Sequence, residues 1–167
     1  MKKKINIIHL LLAFSVLAFT GCMDKDDEDG HATTIYYSEW ITPSAWLGES
    51  GDWYFNVDAP ELTADIVERG VILTYAALDG DIYDAAVRPL PAYAVGANWS
   101  FLIPDYEIIE FTSDMVAKPV TAGNNFRFIA IPGNTDSLKS ASLENYSEKE
   151  LRSMTYKEVC KLFNIPE

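Results

Sequence analysis

Histidine is nearly missing from this chain of 167 residues: only His9 and His31 occur, and both precede the part that reads as folded. That scarcity excludes a Ser-His-Asp or Cys-His nucleophile system, and a histidine-built zinc site, from the body of the protein. Cysteine is also sparse, with Cys22 and Cys160 alone, so a disulfide-stapled scaffold is not expected. Basic residues are outnumbered, 13 Lys+Arg against 25 Asp+Glu, for a net charge of −12. A surface of that sign repels phosphate backbones and anionic lipid, which argues against a nucleic-acid partner. The long apolar stretch, Ile5 to Phe19, rises only about 22 Å as a helix, short of the ~30 Å hydrocarbon thickness a permanent span must cross. What is present is a globular composition, 49% hydrophobic and 13% aromatic. It suits one domain that buries about two-thirds of its unfolded surface.

The amino end has the order of an export signal: three lysines at Lys2 to Lys4, the apolar stretch, then small residues Thr20 and Gly21 before Cys22. The string AFTGC, Ala18 to Cys22, resembles the lipobox of bacterial lipoproteins, with Phe19 where leucine is usual. The resemblance implies that residues 1–21 are a lipoprotein signal peptide and that Cys22 is the lipidated first residue of the mature chain. Removing Lys2, Lys3 and Lys4 leaves 10 of 13 bases against 25 acids, a net charge of −15. Residues 22–32 read as an acidic tether, with five acids between Asp24 and Asp29. This run is similar to the acidic export tag of surface-exposed Bacteroidota lipoproteins, which implies an outer-membrane protein, lipid-anchored and facing the cell exterior. Several acyl chains on one residue hold far more firmly than a single chain. With the Cys22 sulfur in a thioether, Cys160 has no partner, and beside Val159 and Phe163 it reads as a small core residue.

Residues 33–167 form the candidate domain. Short β-branched and aromatic runs alternate with turn signals, and no helical period appears until the last twenty-odd residues. The expected strands are Thr34 to Trp40, Trp53 to Ala59, Gly70 to Ala77, Ala86 to Leu90, Trp99 to Ile103, Glu107 to Thr112 and Phe126 to Ile131. In the second, Trp53, Phe55 and Val57 share one face and Tyr54, Asn56 and Asp58 the other. In the last, Phe126, Phe128 and Ala130 oppose Arg127, Ile129 and Ile131. Asp65 to Arg69 reads as a single helical turn between Thr63 and Gly70. Near the carboxyl end, Ser147 with Glu150 and Thr155 with Glu158 make two capping boxes. Tyr156, Val159, Cys160 and Phe163 then fall at i, i+3, i+4 and i+7, and Pro166 is the expected stop. The fold class is therefore all-β, an antiparallel β-sandwich of about seven strands with a short C-terminal amphipathic helix docked on it.

The strings SGDWYF, APELTADIVERGVILTY, VRPLPAY and NNFRFIAIPG, closed by TYKEVCKLFNIPE, resemble a domain of an uncharacterised Bacteroidota surface lipoprotein family. The same domain is similar to the segment that follows collagen-like repeats in related proteins. The resemblance implies a β-rich domain and brings no catalytic residue with it.

Three chemistries are open to the residues. Asp79, Asp81 and Asp84 in DGDIYD present oxygens at a spacing that can hold Ca²⁺, but the bidentate glutamate of an EF-hand loop is absent. A polar turn, with Gly80 at positive φ, accounts for the same residues. Among many aromatics, Trp46 lies in a Pro-Ser-Ala-Trp-Leu-Gly connection where an exposed ring is readily presented. Paired with Tyr54 on a flat patch, it is the candidate sugar platform. Twenty of the 25 acids lie beyond His31, and two of them facing across a cleft would permit carboxylate-dependent hydrolysis. The expected function is non-catalytic, interaction or envelope assembly, with no cofactor. The partners are the membrane through the lipid anchor and a glycan or surface protein. The alternatives are a glycan-binding lipoprotein of a polysaccharide-uptake system and a surface hydrolase.

Overall fold

The computed structural model describes residues 34–83, 86–133 and 146–167. Nine strands among them pair antiparallel throughout: β1 (Tyr36–Tyr37), β2 (Leu47–Glu49), β3 (Asp52–Asp58), β4 (Val71–Ala77), β5 (Val87–Pro89), β6 (Ala92–Ala94), β7 (Ala97–Asp105), β8 (Ile108–Ser113) and β9 (Asn125–Ile131). They form a four-stranded sheet, β1-β9-β4-β5, packed on a five-stranded sheet, β2-β3-β8-β7-β6. The expected sandwich is the fold, with nine strands in place of seven. The two additional strands, β2 and β6, are three-residue edges, too short to show a period. The run expected from Thr34 to Trp40 pairs only at Tyr36 and Tyr37, with an isolated bridge from Ile41 to Phe126. All four sheet edges are thus two or three residues long, which leaves little backbone open to another chain.

Between the sheets, alternate residues of the facing strands make the main core: Phe55 from β3, Phe111 from β8, Phe126 and Phe128 from β9, with Trp46 and Trp99. The outer face of the four-stranded sheet carries a second core, where Leu73, Tyr75, Ile129 and Ile131 meet the carboxyl-terminal helices α2 (Glu148–Ser153) and α3 (Tyr156–Phe163). Strands β4 and β9 are therefore covered on both faces, and they read as near-continuous apolar runs.

Both helices begin at the capping boxes legible in the sequence: the Ser147 and Thr155 hydroxyls accept from the Glu150 and Glu158 amides at 3.3 Å. Tyr156, Val159 and Cys160 are buried and Phe163 is half-buried. The stop differs from expectation. Asn164 ends α3 in the left-handed region, φ 53° and ψ 43°, and the Ile165 amide bonds back to the Cys160 carbonyl at 2.9 Å. The short helix α1 (Ala64–Arg69) feeds β4 through Gly70, where an added Cβ would lie 2.5 Å from the Ile131 carbonyl oxygen and 2.6 Å from that of Ile66.

The chain enters β1 at the end of the sandwich that also holds α1 and the β7–β8 turn, which are joined by the Glu107 amide on the Leu62 carbonyl and the Tyr106 hydroxyl on Glu68. The opposite end carries the β4–β5 and β8–β9 connections and the β6–β7 turn. The Asp79 amide donates to Asn124 Oδ1, and Asn124 Nδ2 to the Val120 carbonyl.

Candidate functional site

Trp46 does not present a ring to solvent. It is 1% exposed, packed edge-on against Phe55 at 5.0 Å, Trp99 at 5.8 Å and Phe126 at 5.9 Å, and its indole nitrogen donates to the Val120 carbonyl at 3.3 Å. The expected exposure is corrected by a physical cause: the connection between Ile41 and Leu47 crosses from one sheet to the other, and Trp46, its largest side chain, fills the gap between them. Tyr54 is half-buried on the outer face of the five-stranded sheet, in register between Leu47 and Thr112. Since Phe55 faces Trp46, its neighbour Tyr54 points the other way. The two aromatics occupy opposite sides of β3 and cannot share a platform.

The two described aspartates of the β4–β5 connection, Asp79 and Asp81, are not held as a cation site. Asp84 lies outside the described residues. Asp81 holds both oxygens on Arg88, with Nε and Nη2 each at 2.7 Å, and accepts the Tyr83 amide at 3.1 Å. The Arg88 hydrogen bonds hold its carboxyl down at about 2. Asp79 is exposed and Gly80 has φ 74°, as a polar turn requires. No group of three metal-ligating side chains occurs among the described residues. Cys22 lies outside them, and no described helix is long and apolar enough to cross a membrane.

Of the acids, Glu110 is held above its ordinary value by desolvation first and by Asp52 second. Both sit on the outer face of the five-stranded sheet.

A cluster that the sequence shows only as a charge in an apolar row is built around Arg127. On β9, Arg127 shares a face with Ile129 and Ile131 and is 2% exposed under α3. Its Nε donates to the Ser38 carbonyl at 2.7 Å; its Nη1 donates to the Tyr156 hydroxyl and to the Pro166 carbonyl, the latter at 2.6 Å. The rings of Tyr37, Trp40 and Tyr156 surround it at 5.2, 5.8 and 5.9 Å. No carboxylate among the described residues is within ion-pair distance. Burial, and then the Cys160 thiol, hold the Tyr156 hydroxyl above its ordinary value against the pull of Arg127, so the phenol stays neutral. The cation is thus shared by carbonyl oxygens and ring faces, without an anion.

One row along the sheet from Arg127 is a cavity of about 560 Å³. Ala77, Val87 and Asn125 form its floor, Trp40 and Tyr156 its walls, and the exposed Lys157 and Glu167 its rim. The signal for this place was Arg127 itself, a permanent charge at a core position of FRFIAI.

Comparison of the chain with known protein families, characterised proteins and solved structures finds no match.

Proposed function

We propose that the chain is a lipid-anchored lipoprotein of the outer membrane, displayed at the cell surface, whose sandwich acts by binding and not by catalysis. The observation that carries this reading is the distribution of exposed apolar side chains. Ile82 is 85% exposed, Val116 83% and Tyr83 62%, and Tyr93 and Val120 are exposed as well. These five, the most exposed, belong to the connections or to β6 at the end of the sandwich opposite the entry of the chain, whereas Tyr36, Tyr37 and Tyr106 at the entry end are less exposed, at 37, 40 and 46%. Apolar side chains on loops held by a rigid sandwich are what a partner surface meets. Photo-crosslinking on intact cells tests it: a probe at Val116 should trap a surface macromolecule, whereas one at Glu68, at the entry end, should not. Equal trapping from both positions, or none from Val116, rejects the reading.

The second reading, a glycan-binding lipoprotein serving polysaccharide uptake, is supported by the cavity beside Trp40, where aromatic rings, Lys157 and Asn125 line one surface and Arg127 lies against the Trp40 and Tyr156 rings. It no longer rests on Trp46.

A further inference from the structure

A guanidinium is a fixed positive charge that no proton transfer to its neighbours removes. Nor can the charge of Arg127 be cancelled by Tyr156, which burial keeps neutral. Three of its five N–H groups are used by Ser38, Tyr156 and Pro166. Nη2 makes no hydrogen bond among the described residues. A buried charge without an anion is costly, and its field is weakly screened. Trp40 and Tyr156 flank the guanidinium and also wall the cavity, so the cation lies directly behind those walls. Lys157 on the rim adds a second positive charge. Glu167 lines the same rim, so one side-chain carboxylate opposes the two cations, in a chain of net charge −12.

We propose that the cavity beside Trp40 binds a carboxylate carried on a ring, the group that a uronic acid residue presents, with Arg127 and Lys157 supplying the charge and Trp40 the apolar platform. An indole face accepts the apolar face of a sugar or an aromatic ring, and a carboxylate at the rim gains a charge-assisted bond from Lys157. Asn125, whose Oδ1 already accepts from the Thr42 hydroxyl at 2.6 Å, has its Nδ2 to donate to a ring hydroxyl. Glu167, on the same rim, is the chain's own carboxylate there, and an incoming anion must displace it. The proposal deepens the glycan reading and rests on it for the sugar, while the carboxylate site stands on the geometry alone.

The test is titration of the full-length protein in detergent with sodium glucuronate, sodium benzoate and glucose at constant ionic strength, followed by the amide NMR signals of Asn125 and Lys157. Both carboxylates should shift these signals saturably and glucose should not. Lys157→Ala should weaken binding by about three- to fivefold, the scale of an exposed ion pair, and Glu167→Ala should tighten it. Both side chains are exposed, and an unchanged thermal midpoint will confirm that each variant is folded. Benzoate binding without glucuronate would uphold the site and reject the sugar. Glucose binding as well as glucuronate would keep the glycan reading and overturn the requirement for charge. No saturable shift from either carboxylate, or affinities untouched by both substitutions, would overturn the proposal.

Discussion

Arg127 shows how one residue can tie distant segments together: its hydrogen bonds reach the connection after β1, the first turn of α3 and the tail at Pro166. Its alternation partners Ile129 and Ile131 place it on the helix-covered face, so its burial follows from strand parity, while its bonding partners do not. Trp46 is the converse case. A single tryptophan in a connection has no neighbours at a fixed period to tell which way it points, and only the packing of the two sheets decides. Trp46→Ala should therefore cost about 3–5 kcal/mol, as large aromatic deletions in cores do, read as a lowered denaturation midpoint. A variant of wild-type stability with altered ligand binding would contradict its place in the core. Asp81 makes a pH-dependent contribution of known sign. Its folded value of about 2 lies below the ordinary 3.8, so the stabilisation from the Arg88 pair is present above about pH 4 and is lost as pH falls toward 2. The difference in urea midpoint between wild type and Asp81→Asn should be largest at neutral pH and vanish near pH 2; a difference that persists there would show that the pair is not its source.

At the scale of elements, α2 and α3 are short, six and eight residues, and neither would persist alone in water. Their stability comes from the apolar face of the four-stranded sheet, against which Leu151, Tyr156, Val159, Cys160 and Ile165 are buried. Full burial of each large apolar side chain is worth about 1.5–3 kcal/mol, so truncation after Leu143 should lower the thermal midpoint by at least about 10 °C. An unchanged midpoint would show that the helices add nothing to the sandwich. Ser147→Ala, which removes one cap, should cost about 1 kcal/mol. The capping boxes made the start of α3 readable to the residue, because caps are local chemistry. The long strands were readable too, β3 and β8 from alternation over six or seven residues and β4 and β9 from near-continuous apolar runs. Edge strands β2 and β6 were not readable, since three residues carry no period and their pairing is set by neighbours far along the chain. The cavity beside Trp40 was hidden for that reason too: its lining comes from β4, β5, β9, α3 and the segment after β1, which only the folded chain brings together.

For the whole molecule, the consequence that matters is polarity. The chain enters at one end of the sandwich and the most exposed apolar side chains, Ile82 and Val116, belong to the other. The strand and turn pattern predicted the sandwich but not this asymmetry, which depends on how the connections meet. Whether it faces the outside of a cell depends on the proposed anchor. A basic start, an apolar stretch of about fifteen residues and Thr20-Gly21-Cys22 supply what a lipidating export pathway acts on. The acidic run between Asp24 and Asp29 then separates the anchor from the domain. Cys22→Ala should leave the protein unlabelled when cells are grown with radioactive palmitate and should move it from the membrane fraction to the soluble one or leave it unprocessed. Protease added to intact cells should digest the wild-type protein if the domain is displayed outward. Label retained by Cys22→Ala would end the anchor assignment, whereas a labelled but protease-resistant wild type would keep the anchor and place the apolar end on the inner side of the membrane.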